Sequence, residues 1–276
     1  MVAAPAGPAR HELLPPLVEG SRTAALVVGD AASPFDPTVA TVGAARAGED
    51  WVLTGTVERV VDADVADDLL VAASGPDGVG LFAAEGAATE RIPLLTLNQT
   101  RRQATVRFSN TPARLVVGPK EGSESVIRHA LTVGAVLLAA EQVGAAQHVL
   151  DLTVGYAKTC LQFGRPIGSF QAVKHKLADL LVEVEHARSV ASHAAWALDE
   201  GTDDDTLAAS IAQAMCSAAY ARIAPDAIQL HGGIGFTWEY QVQLYYKRAV
   251  ADSALLGSAE QHRDRIAALV LDGASH

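Results

Sequence analysis

The chain has 276 residues, of which 49% are apolar and 19% charged, and its formal net charge is −11. This length allows one large or two modest domains, and the apolar fraction is ample for a packed core. The negative charge argues against a nucleic-acid-binding protein, because phosphate contacts require clustered lysine and arginine side chains.

The start of the chain and its cysteines indicate a cytoplasmic protein. Residues 1–19 are rich in proline and alanine and predict an irregular lead-in. The first nine residues lack the basic start and the long apolar core of a signal peptide. Cys160 and Cys216 do not form a CxxC pair, so we expect neither a metal site nor a disulfide framework.

Residues 20–118 have the pattern of short β-strands. Turn-forming residues such as Gly75-Pro76-Asp77-Gly78 separate the apolar or alternating runs. These runs occupy residues 24–28, 51–54, 69–73, 79–83 and 104–108. Short strands with such turns between them predict a small β-barrel or β-sandwich domain.

After Pro119–Gly122 the period of the apolar residues changes from two to near 3.6, so we place a domain boundary after residue 118. The pattern predicts four helices, at about residues 123–162, 170–200, 204–230 and 237–271, the last broken near Gly257. Four long helices with short connections predict an antiparallel four-helix bundle over residues 119–276, and therefore an α+β, two-domain fold. The richest apolar run, Ala130–Ala140, is too short to span a membrane.

A stiff corner joins the first two predicted helices. Gly164 can adopt backbone angles closed to other residues, and Pro166 cannot continue a helix. An ordinary helix-to-helix loop is one interpretation of this corner. Its residue order, FGRPIGSFQAVKHKLAD, closely resembles the corner that joins two helices in the acyl-CoA dehydrogenase family of flavoproteins.

A second motif, QLHGGIGF at residues 229–236, also lies between two predicted helices. Closely spaced glycines let backbone amides approach an anion, although glycines also commonly end a helix. The two motifs together, preceded by a β domain, extend the resemblance to residues 15–270. The family also has an N-terminal helical domain, which nothing in this sequence matches.

The resemblance implies an oxidoreductase that uses FAD for α,β-desaturation of an acyl-CoA thioester. It places Gln162, Phe163 and Gln171 against FAD, with a core aromatic as the alternative role for Phe163. Further residues would line the diphosphate of a neighbouring subunit's FAD: Gln229, Gly232, Gly233 and Gly235. We interpret His231 as a packing or hydrogen-bonding residue rather than a base.

The sequence departs from the family at several flavin contacts. The family pattern TExxAGSD falls at residues 28–35, where only fragments of it survive, and the family's Trp-Ile-Thr falls at Arg59-Val60-Val61. The usual arginine after YAKT is Cys160, whose thiol carries no guanidinium charge. Cys160 is either a redox nucleophile or a buried small residue, and the lack of an evident histidine partner favours the second.

The catalytic base is the largest departure. In the family a glutamate removes the α-proton while the β-hydride passes to flavin. The two positions that the family uses for this glutamate are Gly257 and Gly134, and the neighbouring substrate arginine falls at Ala135. Glu239 follows the glycine motif and is the first substitute to test. The other substitutes are Glu141, Asp252 and Glu260, and all four are ordinarily solvated or ion-paired helix residues.

Two functions therefore stay open. The first is an acyl-CoA dehydrogenase that binds FAD and an acyl-CoA substrate. The second is a non-catalytic subunit that pairs with a full-length relative and contributes residues 229–235 to its flavin. Alanine, leucine and valine occupy more than one stripe of the first and third helices, which predicts a homo- or hetero-oligomer.

Overall fold

The computed structural model describes residues 4–5, 7–29, 36, 39–48, 50–202 and 204–271. The chain divides into two compact units, Met1–Leu131 and Thr132–His276. This division lies inside a long helix, α2 (Ser123–Thr159), rather than after residue 118. The start of α2 is tied to the strand unit, because the Ser123 hydroxyl donates a hydrogen bond to the Val79 carbonyl.

The described residues of the first unit contain seven strands. These are β1 (Ala24–Val27), β2 (Val42–Ala47), β3 (Asp50–Val61), β4 (Asp68–Gly75), β5 (Gly78–Glu85), β6 (Glu90–Pro93) and β7 (Gln103–Val117). The sequence predicted parts of five of them but missed β2 and β6. Both are short, and β2 is composed mainly of small residues with a low tendency to form strands.

Five of the strands close into a small barrel. β2 pairs with β3, β3 with β7, β7 with β5 and β5 with β4, all antiparallel. The ring closes where Gly43 of β2 pairs with Ser74 of β4. β1 lies parallel to β4, and β6 pairs with β7. Leu53, Leu69 and Val106 are fully buried in the barrel core, which confirms the predicted β-barrel.

The lead-in is not irregular as predicted, because residues 8–18 form helix α1 (Pro8–Val18). Pro8 lies in the first turn, where the missing amide costs no hydrogen bond. Leu13 is buried, and Glu12 forms an ion pair with Arg114 of β7. Proline content therefore misled the prediction for this segment.

The second unit forms the predicted helical bundle. Its helices after α2 are α3 (Gln171–Glu200), α4 (Asp205–His231), α5 (Val242–Asp252) and α6 (Ala259–Leu271). α4 continues through Pro225, and α5 and α6 are the two parts of the last predicted helix. One face of α3 is buried at spacings of three and four residues, by Leu180, Val184, Ala187, Ala191, Ala194 and Ala197.

Helix α2 is also long and apolar enough to cross a membrane by length and composition, which the prediction from Ala130–Ala140 missed. Its most apolar window has a mean hydropathy of 1.3, and half of that window is buried inside the protein. Such burial is typical of a core helix.

Two neighbouring residues of α3 test this assignment of the bundle core. Leu180 is almost fully buried, whereas Leu181 is 47% exposed. We expect Leu180→Ala to lower the free energy of unfolding by about 2–5 kcal/mol through lost burial and cavity formation. Leu181→Ala, the matched control, should lower the free energy of unfolding by less than about 1 kcal/mol, as measured by urea unfolding of the monomer. Equal losses would contradict the assigned face of α3.

Candidate functional site

The corner between α2 and α3 is a tight hairpin. α2 ends at Thr159, and strands β8 (Leu161–Gln162) and β9 (Arg165–Pro166) pair with each other. The two residues between them, Phe163 and Gly164, have φ angles of 54° and 78°. Left-handed angles at both positions are typical of a type I′ hairpin turn. An aromatic residue in this region is strained, and such strain is concentrated at functional sites.

The hairpin presents its functional groups to solvent. The Phe163 side chain is 92% exposed, so it is not a core aromatic, and its ring lies edge-on to that of Phe170, with centroids 6.2 Å apart. The Arg165 guanidinium carbon lies 4.0 Å from the Phe170 ring centroid. Gln162 and Gln171 are also exposed. An aromatic ring and two amides are therefore available on a rigid support.

The glycine motif begins where α4 ends. Residues 232–236 form a 3-10 helix, and Gly232 has φ 64° and ψ −143°, a combination that is essentially restricted to glycine. Gly232 and Gly233 are exposed, and a Cβ on either would meet nothing within 4 Å. Gln229 is exposed as well. This part of the motif is open to a ligand.

Gly235 has a different environment from the two exposed glycines. It is buried, and a Cβ there would lie 2.9 Å from the His231 Cβ and 3.0 Å from the Ile228 carbonyl oxygen. The absence of a side chain at Gly235 therefore lets the 3-10 helix pack against the end of α4.

His231 connects the glycine motif to α2. Its buried ring stacks on Tyr156 with centroids 4.4 Å apart, and Tyr240 lies 4.9 Å from it. The Tyr156 hydroxyl donates to the His231 carbonyl at 3.2 Å, and the His231 Nδ1 lies 2.8 Å from the Ala227 carbonyl. Burial lowers the pKa of His231, which favours the neutral ring. The cluster holds the motif close to the helix that carries the hairpin.

Cys160, which replaces the family's arginine, is half-buried at the end of α2. Its amide donates to the Tyr156 carbonyl at 2.8 Å. The pKa of the Tyr156 hydroxyl is raised, mainly by hydrogen bonding with the Cys160 thiol and to a smaller extent by burial. Neither group supplies the positive charge that an arginine would bring to a diphosphate.

The two positions that the family uses for its base are linked by one side chain, that of Leu256. Gly134 is on α2, and Gly257 is in the turn between α5 and α6. A Cβ on Gly134 would lie 3.1 Å from the Cδ1 of Leu256, the residue before Gly257. Leu256 and Gly257 have φ angles of 54° and 96°. The apolar side chain of Leu256 therefore borders this place, and a glutamate at position 257 would be strained.

The four substitute carboxylates have other environments. Glu141 forms an ion pair with Arg248 at 2.7 Å, and the buried Asp252 lies 3.8 Å from the same guanidinium. Glu239 is exposed on the turn before α5, and Glu260 is exposed in the first turn of α6. Glu141, Glu239 and Glu260 are thus ordinary ion-paired or solvated carboxylates, whereas Asp252 is a buried carboxylate close to Arg248.

The turn that contains Leu256 is fixed by the start of α6, a feature that the sequence reasoning missed. The buried His262 donates from Nε2 to the Leu256 carbonyl at 3.1 Å. Ser258 and Gln261 form a reciprocal cap, since each backbone amide donates to the other's side chain, at 2.8 and 3.2 Å. Burial lowers the pKa of His262 to about 4.

In the β-barrel, the positions matched to the family's Trp-Ile-Thr have different roles. Arg59 is exposed and has a φ of 58°, at a bulge between Val57 and Val60 of β3. Val60 is buried in the barrel core. Residues 30–35, which hold most of the stretch matched to TExxAGSD, lie outside the described residues.

A barrel followed by a helical bundle, with an exposed hairpin and an exposed glycine motif on the bundle, is the architecture of acyl-CoA dehydrogenase folds. The family model of the acyl-CoA dehydrogenase C-terminal domain matches residues 122–271, more than half of the chain. The chain therefore belongs to the acyl-CoA dehydrogenase family.

Individual relatives agree with this assignment. Acyl-CoA dehydrogenase IpdE2 of Mycolicibacterium smegmatis is 39% identical over 213 residues, which are 77% of this chain and 61% of IpdE2. A solved variant of the Tcur3481-Tcur3483 steroid ACAD is 30% identical with a TM-score of 0.84, over 98% of this chain and 73% of that chain. One chain of the ChsE4-ChsE5 complex from Mycobacterium tuberculosis is 28% identical with a TM-score of 0.82, over 93% of this chain and 68% of that chain. The chain spans 61% and 57% of its first two curated relatives.

The residues at the hairpin and the glycine motif fit part of FAD, the cofactor that the family implies. The amides of Gln162, Gln171 and Gln229 can donate and accept hydrogen bonds. No Cβ at Gly232 or Gly233 blocks the approach of a phosphate, and the Gly232 amide itself already donates to the Gln229 and Ile228 carbonyls. Arg59 and Val60 do not carry the tryptophan and isoleucine side chains that the resemblance matches to these positions.

Acid should destabilise the protein through His262. Its folded pKa of about 4 lies below the ordinary value of 6.5, so the unfolded chain binds more protons between these values. This contribution to stability is present above the unfolded pKa and is lost as the pH falls towards the folded pKa. Relative to His262→Gln, the wild type should lose roughly 2–3 kcal/mol between about pH 7 and pH 4.5. Parallel pH profiles of the two proteins in urea unfolding would contradict this.

The two kinds of glycine in the motif should respond differently to alanine. Gly235→Ala should lower the free energy of unfolding by about 1–3 kcal/mol, because its Cβ would press on His231 and Ile228. Gly233→Ala, where the Cβ meets nothing, should change it by less than about 0.5 kcal/mol. Chemical denaturation checks both values, and an equal loss would show that Gly235 has no special packing role.

Proposed function

We propose that this protein acts in FAD-dependent α,β-desaturation of an acyl-CoA thioester, as one subunit of an oligomer. In this reaction the β-hydride passes to FAD while a carboxylate accepts the α-proton. Membership of the family supports the reaction class. The steroid ACAD among the similar structures favours a steroid or fatty acyl thioester as the substrate class.

The role we propose for this chain within the oligomer is non-catalytic. The observation that carries this role is that the two matched base positions, Gly134 and Gly257, both lack a carboxylate, with the side chain of Leu256 beside Gly134. A positioned base contributes about 10²–10⁴-fold to such a proton transfer. Leucine cannot accept a proton, so the chain would desaturate little acyl-CoA by itself.

The contribution of the chain to its partner would come from the hairpin and the glycine motif. Phe163, Gln162 and the Gly232–Gly233 backbone point to solvent rather than into the bundle. Phe236 and Trp238, directly after the glycines, are each 70% exposed. Large exposed aromatic side chains that cluster in this way favour a surface that another subunit covers. The chain would thus hold the diphosphate end of FAD that is bound mainly by the partner.

The partner in this proposal is a full-length relative. The solved ChsE4-ChsE5 complex, one chain of which is similar to this one, supports pairing between different subunits. A second copy of this chain would add the same hairpin and glycine motif but would also lack the base. A mixed complex would therefore contain both the catalytic base of the relative and the hairpin and glycine motif of this chain.

The glycine motif provides the test of this function. In the complex with a full-length relative, Gly233→Leu should weaken FAD binding by about tenfold or more, because its side chain would fill the open space beside the backbone amides. Gly144→Leu is the matched control, on an exposed site of α2 where a Cβ also meets nothing within 4 Å. Flavin content is read from the visible absorbance of the purified complex. Equal content in both variants would show that the motif is only a helix joint.

A further inference from the structure

The hairpin between α2 and α3 carries one positively charged side chain. Arg165 is the only lysine or arginine among residues 160–171, and it is exposed. Within the described part of the chain, Arg165 forms no ion pair with a carboxylate. The chain as a whole has a formal net charge of −11, so it repels anions except where a local cation attracts them. An arginine without a carboxylate partner, on a rigid hairpin, is therefore a candidate ligand for an anion.

The pairing of the hairpin strands places Arg165 on the same face as Gln162. These two residues are directly opposite each other, on either side of the two-residue turn. Side chains of directly opposed residues extend from the same face of a strand pair. The Ile167 amide donates to the Cys160 carbonyl at 2.9 Å, which continues the pairing by one residue. Since alternate residues of a strand share a face, Cys160 lies on this face as well.

An aromatic ring holds the guanidinium group of Arg165 in place. The central guanidinium carbon lies 4.0 Å from the ring centroid of Phe170, the residue before Gln171. The Phe163 ring meets the Phe170 ring edge-on, so the ring beside the guanidinium is itself supported. A guanidinium that rests on a ring loses less conformational freedom when it binds a ligand, and its N–H groups still point outward at its edge. Arg165 is thereby placed beside the start of α3 as well as beside Gln162.

We infer that Arg165 is the side chain of this chain that supplies positive charge to the diphosphate of FAD. A guanidinium donates two parallel hydrogen bonds to phosphate oxygens and attracts their negative charge. Gln162 on the same face supplies an uncharged donor, whereas the Cys160 thiol is a weak donor without charge. This inference rests on the proposed function and identifies the residue through which the hairpin would attract the cofactor.

The first test measures the dissociation constant of FAD from the complex of this chain with a full-length relative. Arg165→Gln should weaken binding by about tenfold or more, because a charge-assisted contact with phosphate is lost. Arg165→Lys, which keeps the charge but not the paired donors, should weaken binding less. Arg263→Gln, the matched control, removes an exposed arginine of α6 and should leave the dissociation constant unchanged. Equal dissociation constants for the wild type and Arg165→Gln would overturn the inference.

The second test moves the charge to another position on the same face of the hairpin. Cys160→Arg is made in the wild type and in Arg165→Gln, and FAD binding to the two complexes is compared. In Arg165→Gln the new arginine should restore most of the lost affinity, whereas in the wild type it should add little, because the diphosphate already has a cation. The same change in both backgrounds would overturn the inference, since the two positions would then act independently.

Salt separates a contact between charges from a structural role. Raising the salt concentration should weaken FAD binding more in the wild type than in Arg165→Gln, because salt screens the attraction between guanidinium and diphosphate. Identical salt dependence in the two proteins would contradict the inference. Gly233→Leu is measured in the same assay. If it weakens FAD binding and Arg165→Gln does not, this inference alone fails, and if neither variant weakens binding, the proposed function fails.

Discussion

The stack of Tyr156 on His231 is the contact on which the rest of the site depends. It joins the last turns of α2 to the end of α4, and the two motifs begin within a few residues of these rings. A neutral His231 suits this buried position, since burial penalises the charged ring and its Nδ1 lies against the Ala227 carbonyl. This contact fixes the end of α2 against the end of α4. The strained turn at Phe163 and the glycine-restricted angles at Gly232 therefore lie directly after helix ends that pack in the bundle.

The glycines of the helical unit differ in what surrounds the place where a Cβ would be. Gly235 and Gly134 leave room for neighbouring protein atoms, whereas Gly232 and Gly233 leave room for something outside the chain. The sequence alone does not reveal this difference, because the residue at each of these positions is glycine. In the structure, the two kinds of glycine are distinguished by the atoms that a Cβ at each position would meet.

Most of the helical unit could be predicted from the sequence, because helical periodicity is a local property. The predicted helix at 170–200 corresponds to α3 at Gln171–Glu200, and that at 204–230 to α4 at Asp205–His231. β2 and β6 were missed because strands acquire their stability from distant partners. The resemblance matched Gly134 and Gly257 to the family's base positions, but the closeness of the Leu256 side chain to Gly134 depends on tertiary packing between α2 and the turn before α6.

We propose that this chain completes a site whose proton transfer is carried out by another subunit. The most direct measurement is the rate of FAD reduction by an acyl-CoA, for the chain with added FAD and for its complex with a full-length relative. We expect a rate for the chain alone that is at least about 10²-fold below that of the complex. We also expect that replacing the relative's catalytic glutamate by glutamine removes the activity of the complex. A chain that reduces FAD by itself at a rate comparable to that of the complex would contradict this proposal.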